Sequence, residues 1–156
     1  MDDPSVLTLL SRLGLAVVCG ALLGWDREKR NKPAGLRTHM LVALGAAGFT
    51  VLGLEFVHTM AAHGEPGSVD MLRVIQGIIG GVGFLGAGAI IQARGEVIGM
   101  TTAAGIWVTA AIGIACGLGE LAVAGLLTGA ALVVLTVALW ADRVIQRRLA
   151  RQEEHD

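Results

Sequence analysis

The chain has no tyrosine, three tryptophans, three phenylalanines and three prolines among its 156 residues, and only 16% of them are charged. With so little charge set against 54% hydrophobic residues and a mean hydropathy of +0.68, water is excluded as its main solvent. The net charge is −1, and few aromatics stand near the basic residues, so there is no nucleic-acid footprint. Two cysteines are too few for a disulfide scaffold. Cys19 falls late in the first apolar run and Cys116 near the end of the fourth, so alternating helix direction puts them at opposite membrane depths, and no disulfide between them is expected. No H-E-x-x-H, C-x-x-C, G-x-S-x-G or Walker sequence occurs, so neither an enzyme nor a cofactor or metal site is expected. The opening Met-Asp-Asp-Pro lacks the basic start of a signal peptide, and the first apolar run reads as a retained helix.

What the sequence has is long uncharged runs, 74–93 and 101–118 among them, each long enough to cross a hydrocarbon core of roughly 30 Å. Five segments follow, at 6–24, 36–61, 72–93, 100–118 and 121–141, so the fold class is all-α: a polytopic bundle of about five transmembrane helices joined by hairpin links. Residues 1–141 read as the transmembrane domain and 142–156 as an amphipathic tail that continues helix five along the membrane surface. Of the twelve basic residues, all but Arg12 and Arg73 fall on one side of such a bundle. Lys and Arg mark the cytoplasmic side, which puts the N-terminus outside with Asp2 and Asp3 and the C-terminus in the cytoplasm. Trp25 and Trp140 then mark the inner interface.

Glycine is abundant, at 23 residues, and recurs at helical spacing in Gly20 with Gly24, Gly77 with Gly81, Gly113 with Gly117 and Gly125 with Gly129. Small residues four apart let helix backbones approach closely in lipid. Helix three, with Gly77, Gly80, Gly81, Gly83, Gly86 and Gly88, has so little bulk that it is expected at the centre; the other reading is an unwound helix lining a site. Gly81-Val-Gly83-Phe-Leu-Gly86 fits the dinucleotide pattern G-x-G-x-x-G. It lies inside an apolar run, not after a strand, and no acid follows about twenty positions on, so nucleotide binding is rejected.

Charged groups within a membrane helix are costly and mark sites by default. Glu55 lies roughly 28 Å along helix two at 1.5 Å per residue. Arg73 and Gln76 begin helix three at the same level, so Glu55 and Arg73 read either as a structural clamp or as part of an ion path. At the opposite face, Asp26, Arg27, Glu28, Arg37, Thr38 and His39 face the connection that ends in Thr101 and Thr102. Asp26 and Glu28 sit at a helix C-terminus, an unfavourable end for acids, so Arg27, Lys29 or Arg37 is expected to compensate them. The threonines read as caps of helix four, and Pro33 with Gly35 as a turn. Salt bridging with capping, and ligand or partner contact, are both open for this cluster.

Four ordered motifs carry a family resemblance: Gly20-x-x-x-Gly24-x-Asp-Arg-Glu28, Lys32-Pro-Ala-Gly-Leu-Arg-Thr-His39, Gly81-Val-Gly-Phe-Leu-Gly-Ala-Gly88 and Gly99-Met-Thr-Thr-Ala-Ala-Gly-Ile-Trp107. Across about residues 7 to 140 the chain resembles the MgtC/SapB family of bacterial membrane proteins. Asp26 stands where that family usually has Glu. The sequence ends after helix five, and so reads as a short form without the soluble C-terminal domain of longer members. The resemblance implies an inner-membrane protein tied to growth at low magnesium and, in pathogens, to virulence and survival inside macrophages. It also implies a regulator that contacts the membrane sector of ATP synthase. The expected function is therefore non-enzymatic and exercised in the bilayer through contacts with such a complex, or with a second copy in a homo-oligomer. The alternative is a small ion transporter or channel using Glu55, Gln76 and helix three.

Overall fold

A computed structural model describes residues 5–63, 70–93 and 96–153, with side chains described except for 92–96 and 141–153. Asp2, Asp3, Arg94 and the basic side chains of the tail lie outside that description. Five helices run in order, α1 Val6–Lys29, α2 Leu36–Ala62, α3 Met71–Gly88, α4 Met100–Leu118 and α5 Leu121–Glu153, with strands β1 Ile91–Ala93 and β2 Glu96–Ile98 between α3 and α4. Each helix has a stretch long and apolar enough to cross a membrane. Large apolar side chains such as Leu7, Leu41, Phe49, Leu126 and Val133 stay exposed on the outside of the bundle, as a lipid-facing surface requires.

Local signals account for the boundaries. The Ser5 hydroxyl accepts from the Thr8 N–H and starts α1, and the Asp70 carboxylate accepts from the Leu72 N–H and starts α3. α1 continues past 24 through its charged residues to Lys29; at about 36 Å for 24 residues, its last turn projects beyond the hydrocarbon core. The chain then turns through Asn31 and Ala34, with φ of 50° and 55°. Helix three stops at Gly88 instead of running to 93. The β-branched residues Ile91 and Val97 with Ile98 enter an antiparallel hairpin, where Ile91 pairs with Ile98 and Gln92 with Val97. At the far end of α4 a Cβ on Gly119 would crowd the Arg12 guanidinium, and its φ of 85° lets the Glu120 N–H reach back to the Ala115 carbonyl and close the helix.

The centre of the bundle is α4, not α3. Ile112, Ala115 and Cys116 of α4 join Ala16, Cys19 and Leu23 of α1 and Ala43 and Ala47 of α2 in one buried cluster. Ile106, Ala110 and Ile114 of the same helix join Ala46, Ile78 and Val82 in a second. Helix three buries only Ile78, Val82 and Gly86. Removing side chains lets a helix approach its neighbours but also removes the surface it could bury, so a glycine-rich helix can be held weakly. Nothing lies within 4 Å of where a Cβ would stand on Gly77, Gly81, Gly83 or Gly88, while Gly86 meets Ala103 at 3.6 Å.

The tight contacts belong to α2. A Cβ on Gly20 would stand 2.6 Å from the His39 carbonyl oxygen, and one on Gly24 would stand 2.6 Å from the Leu36 Cα. On the other side of α2, a Cβ on Gly113 would meet the Ala46 methyl at 2.8 Å, and one on Gly117 would meet the Thr50 Cβ at 2.7 Å. The cysteine depths need correction too. Cys19 lies near the middle of the lengthened α1 and shares a buried cluster with Cys116, both as free thiols.

These contacts distinguish two kinds of glycine. Gly113→Ala should lose about 1–3 kcal/mol from overpacking, whereas Gly81→Ala should leave stability unchanged. Unfolding of each variant in detergent, followed against wild type, checks both.

Candidate functional site

The polar residues converge at the end of the bundle where α1 stops, α2 and α4 begin, and the hairpin folds over. Glu28 is placed there by the turn that follows it. Its Oε2 accepts the Leu36 N–H at 2.6 Å, so the carboxylate caps the start of α2 from eight residues upstream. A carboxylate at the end of α1 is thereby also a carboxylate at the positive end of α2, which resolves its unfavourable position. Asp26 is compensated by Arg30, one turn on, with contacts of 2.8 and 3.0 Å to its two oxygens. That hydrogen bond raises the proton affinity of the guanidinium above its ordinary value. The partners are therefore Arg30 and a helix N-terminus, not Arg27, Lys29 or Arg37. The four-residue spacing of Asp26 and Arg30 was the available signal. Lys29 instead lies 5.0 Å from the Trp25 ring.

Arg27 is left without a carboxylate among the described residues. It is 4% exposed, and its Nη2 donates to the Thr102 hydroxyl at 2.7 Å. Its Nε is buried with no hydrogen-bond partner. Thr102 is thus a partner for Arg27 and not a cap. α4 begins instead at Gly99, whose φ of 96° and contact with the Ala89 carbonyl leave no room for a side chain. His39 is 1% exposed; its Nδ1 lies 3.0 Å from the Gly35 carbonyl, which accepts from it, and its ring packs over Gly105. Thr101 is exposed, Thr38 half-buried and Arg37 exposed.

A cavity of about 760 Å³ opens at this end. Arg27, Lys32, Thr38, Thr101 and Thr102 supply its polar lining, and Leu85, Ile106, Leu135 and Leu139 its apolar lining. Ala34, in the left-handed region, is on its rim. Such strain concentrates at functional positions, although only a structure reveals it. Of the expected cluster, the cavity gathers Arg27, Thr38, Thr101 and Thr102; Glu28 and His39 brace the start of α2, and Asp26 is taken by Arg30.

At the opposite end the expected clamp does not form. Met71 and Val74 pack against Gly53, and Ile78 and Val82 are buried, so the inner face of α3 carries positions 71, 74, 78 and 82. Arg73 and Gln76 fall off that face and are exposed, and Arg73 makes no ion pair with the half-buried Glu55. The basic residue that does act here is Arg12, whose Nη1 donates to the Gly117 carbonyl at 3.0 Å near the C-terminus of α4.

Five apolar spans, a lipid-facing surface and a charged end define a multi-pass helical membrane protein. Its chain belongs to the MgtC family, which matches residues 13–144. An uncharacterized protein of Haemophilus influenzae is 34% identical over 96% of this chain and 63% of its own length. YhiD of Escherichia coli K12, whose name offers it as a candidate magnesium transporter, is 42% identical over 67% of this chain and 47% of its own. MgtC of Salmonella typhimurium is 41% identical over 75% and 45%. The chain thus spans about half to two thirds of the length of these relatives. No solved structure matches it.

Thr102→Val should cost about 1.5–3 kcal/mol by stripping a buried charged donor of its partner, and Thr102→Ser should restore most of it. Chemical unfolding in detergent measures both.

Proposed function

We propose that this is a non-enzymatic inner-membrane protein of magnesium or other cation homeostasis, or of virulence-type stress adaptation, working through lateral contacts. Its partner would be a membrane complex such as ATP synthase, or a second copy of itself. The magnesium assignment is supported by family membership and by the name of the Escherichia coli relative. The contact mode is supported by one observation, a groove of about 660 Å³ between α2 and α3. Gly45, Gly77 and Gly81 line it together with Phe49, Ile78 and Leu85, and no charged side chain does. A backbone left bare on a lipid-facing side accepts another helix at close range, with van der Waals packing as the drive. Gly125 and Gly129 of α5 are likewise open, while Gly20 and Gly24 of α1 are spent inside the bundle.

The name of the Escherichia coli relative also favours a second reading, ion transport. Glu55 and Gln76 would serve it, yet neither lines the groove or the cavity at the basic end.

In a strain lacking the gene, wild type should restore growth at limiting Mg²⁺. A Gly77→Leu, Gly81→Leu double variant, which fills the groove without touching an internal contact, should not. A photocrosslinker at position 41, where a bulky exposed side chain already lines the groove, should give one discrete adduct. Mg²⁺ flux through the purified protein in liposomes, lost in Glu55→Gln, would replace this reading with transport.

A further inference from the structure

The cavity at the basic end contains a charge that no carboxylate among the described residues pairs with. Arg27 lines it while 4% exposed. Of the two acids flanking it in sequence, Asp26 is held by Arg30 on two oxygens and Glu28 by the start of α2. What the chain gives Arg27 is a neutral hydroxyl, from Thr102, and its Nε has nothing. A buried guanidinium is costly unless an anion and further hydrogen bonds compensate it, and its planar fork suits phosphate and carboxylate oxygens. The surroundings fit a phosphate. Lys32, Thr38 and Thr101 line the same space, and no acidic residue lines it among the described residues.

The remaining walls indicate what carries the phosphate. Leu135 and Leu139 belong to α5, whose outer residues Val133, Val134 and Val137 are exposed on the lipid-facing surface. Leu85 and Ile98 add apolar surface on the other side. A polar base of one sign beneath apolar walls that continue into the bilayer surface is a shape for a group with a charged head and an apolar body. Basic pockets between transmembrane helices at this depth suit anionic headgroups.

We propose that this cavity binds a phosphate-bearing anion with its phosphate on Arg27, and that an anionic phospholipid supplies it. The site is separate from the lateral-contact reading, because its polar residues Arg27, Lys32, Thr38, Thr101 and Thr102 lie outside the groove, whose lining shares only Leu85 with the cavity.

The test is native mass spectrometry of the delipidated protein in detergent, titrated with phosphatidylglycerol, with phosphatidylcholine and with inorganic phosphate. Wild type should retain phosphatidylglycerol about tenfold more tightly than phosphatidylcholine, the scale of one charged hydrogen bond. Arg27→Gln should abolish that preference and Arg27→Lys should keep part of it. Leu135→Trp fills the cavity while leaving every charge in place, and it should also abolish retention; it decides the matter if Arg27→Gln does not fold. Binding of inorganic phosphate that depends on Arg27 would support the site and assign it to a soluble anion. Equal retention of both lipids with no phosphate binding, or a folded Arg27→Gln or Leu135→Trp that binds like wild type, overturns the proposal.

Discussion

Close approach of α2 to the helices on either side of it is the constraint from which the rest of the bundle follows. Gly20 and Gly24 of α1 lie against its first turns, and Gly113 and Gly117 of α4 lie against its middle. These are contacts of backbone and methyl groups, and in lipid such packing replaces the hydrophobic drive that water would provide. Because two separate pairs fix α2 between α1 and α4, the ends of those helices have little freedom. The last turn of α1 must meet the first turns of α2 and α4, which sets Glu28 over the Leu36 N–H and Arg27 against Thr102. The polar site is thus a consequence of apolar packing lower in the bundle.

The same constraint explains how the charges at that end are shared out. A helix that ends in Asp-Arg-Glu-Lys places two acids where the macrodipole disfavours them. The turn through Asn31 and Ala34 brings the start of α2 back to Glu28, so one acid meets N–H groups in place of carbonyls. The other takes Arg30 in a two-oxygen contact. With both flanking acids committed, Arg27 has no carboxylate partner among the described residues, and unlike Lys29, Lys32 and Arg37 it is turned inward. Its isolation follows from helical spacing, since residues 26 and 30 share a face and residue 27 lies about 100° away on another.

Much of this was legible in the sequence, and the rest failed for identifiable reasons. Five spans, their hairpin order and the packing of α1 against its neighbours follow from uncharged runs and from Gly20 with Gly24. The gathering of Arg27, Thr38 and Thr102 at one end follows from charge at a helix end and from hairpin order. The place of α3 does not, because the same glycines that permit close packing also permit none, and sequence alone does not say which neighbour they meet. The Glu55 to Arg73 clamp failed because level along the membrane was considered without angle around the helix. Cys19 and Cys116 were misplaced because α1 runs through its charged residues to Lys29, which moves its midpoint. Arg12 and Arg30 were not singled out as site residues, since the carbonyl that one meets and the carboxylate that the other holds depend on how helix ends are juxtaposed.

The sign of charge in the basic cavity bears on which ions it admits. A unit positive charge about 8 Å from Arg27 meets a repulsion of about 2 kcal/mol at an effective dielectric of 20, and a divalent ion twice that. Lys32, which also lines the cavity, adds to it. The cavity therefore repels the cation and favours its counter-anions. Leu85 lines both the basic cavity and the α2–α3 groove, so the two recesses meet at that side chain. α3 buries only Ile78, Val82 and Gly86, and Met71 and Val74 add contacts against Gly53. A helix stripped of side chains is a poor anchor for a bundle, and the anchoring here falls to α4, which buries residues along its whole length between the charged end and Gly117.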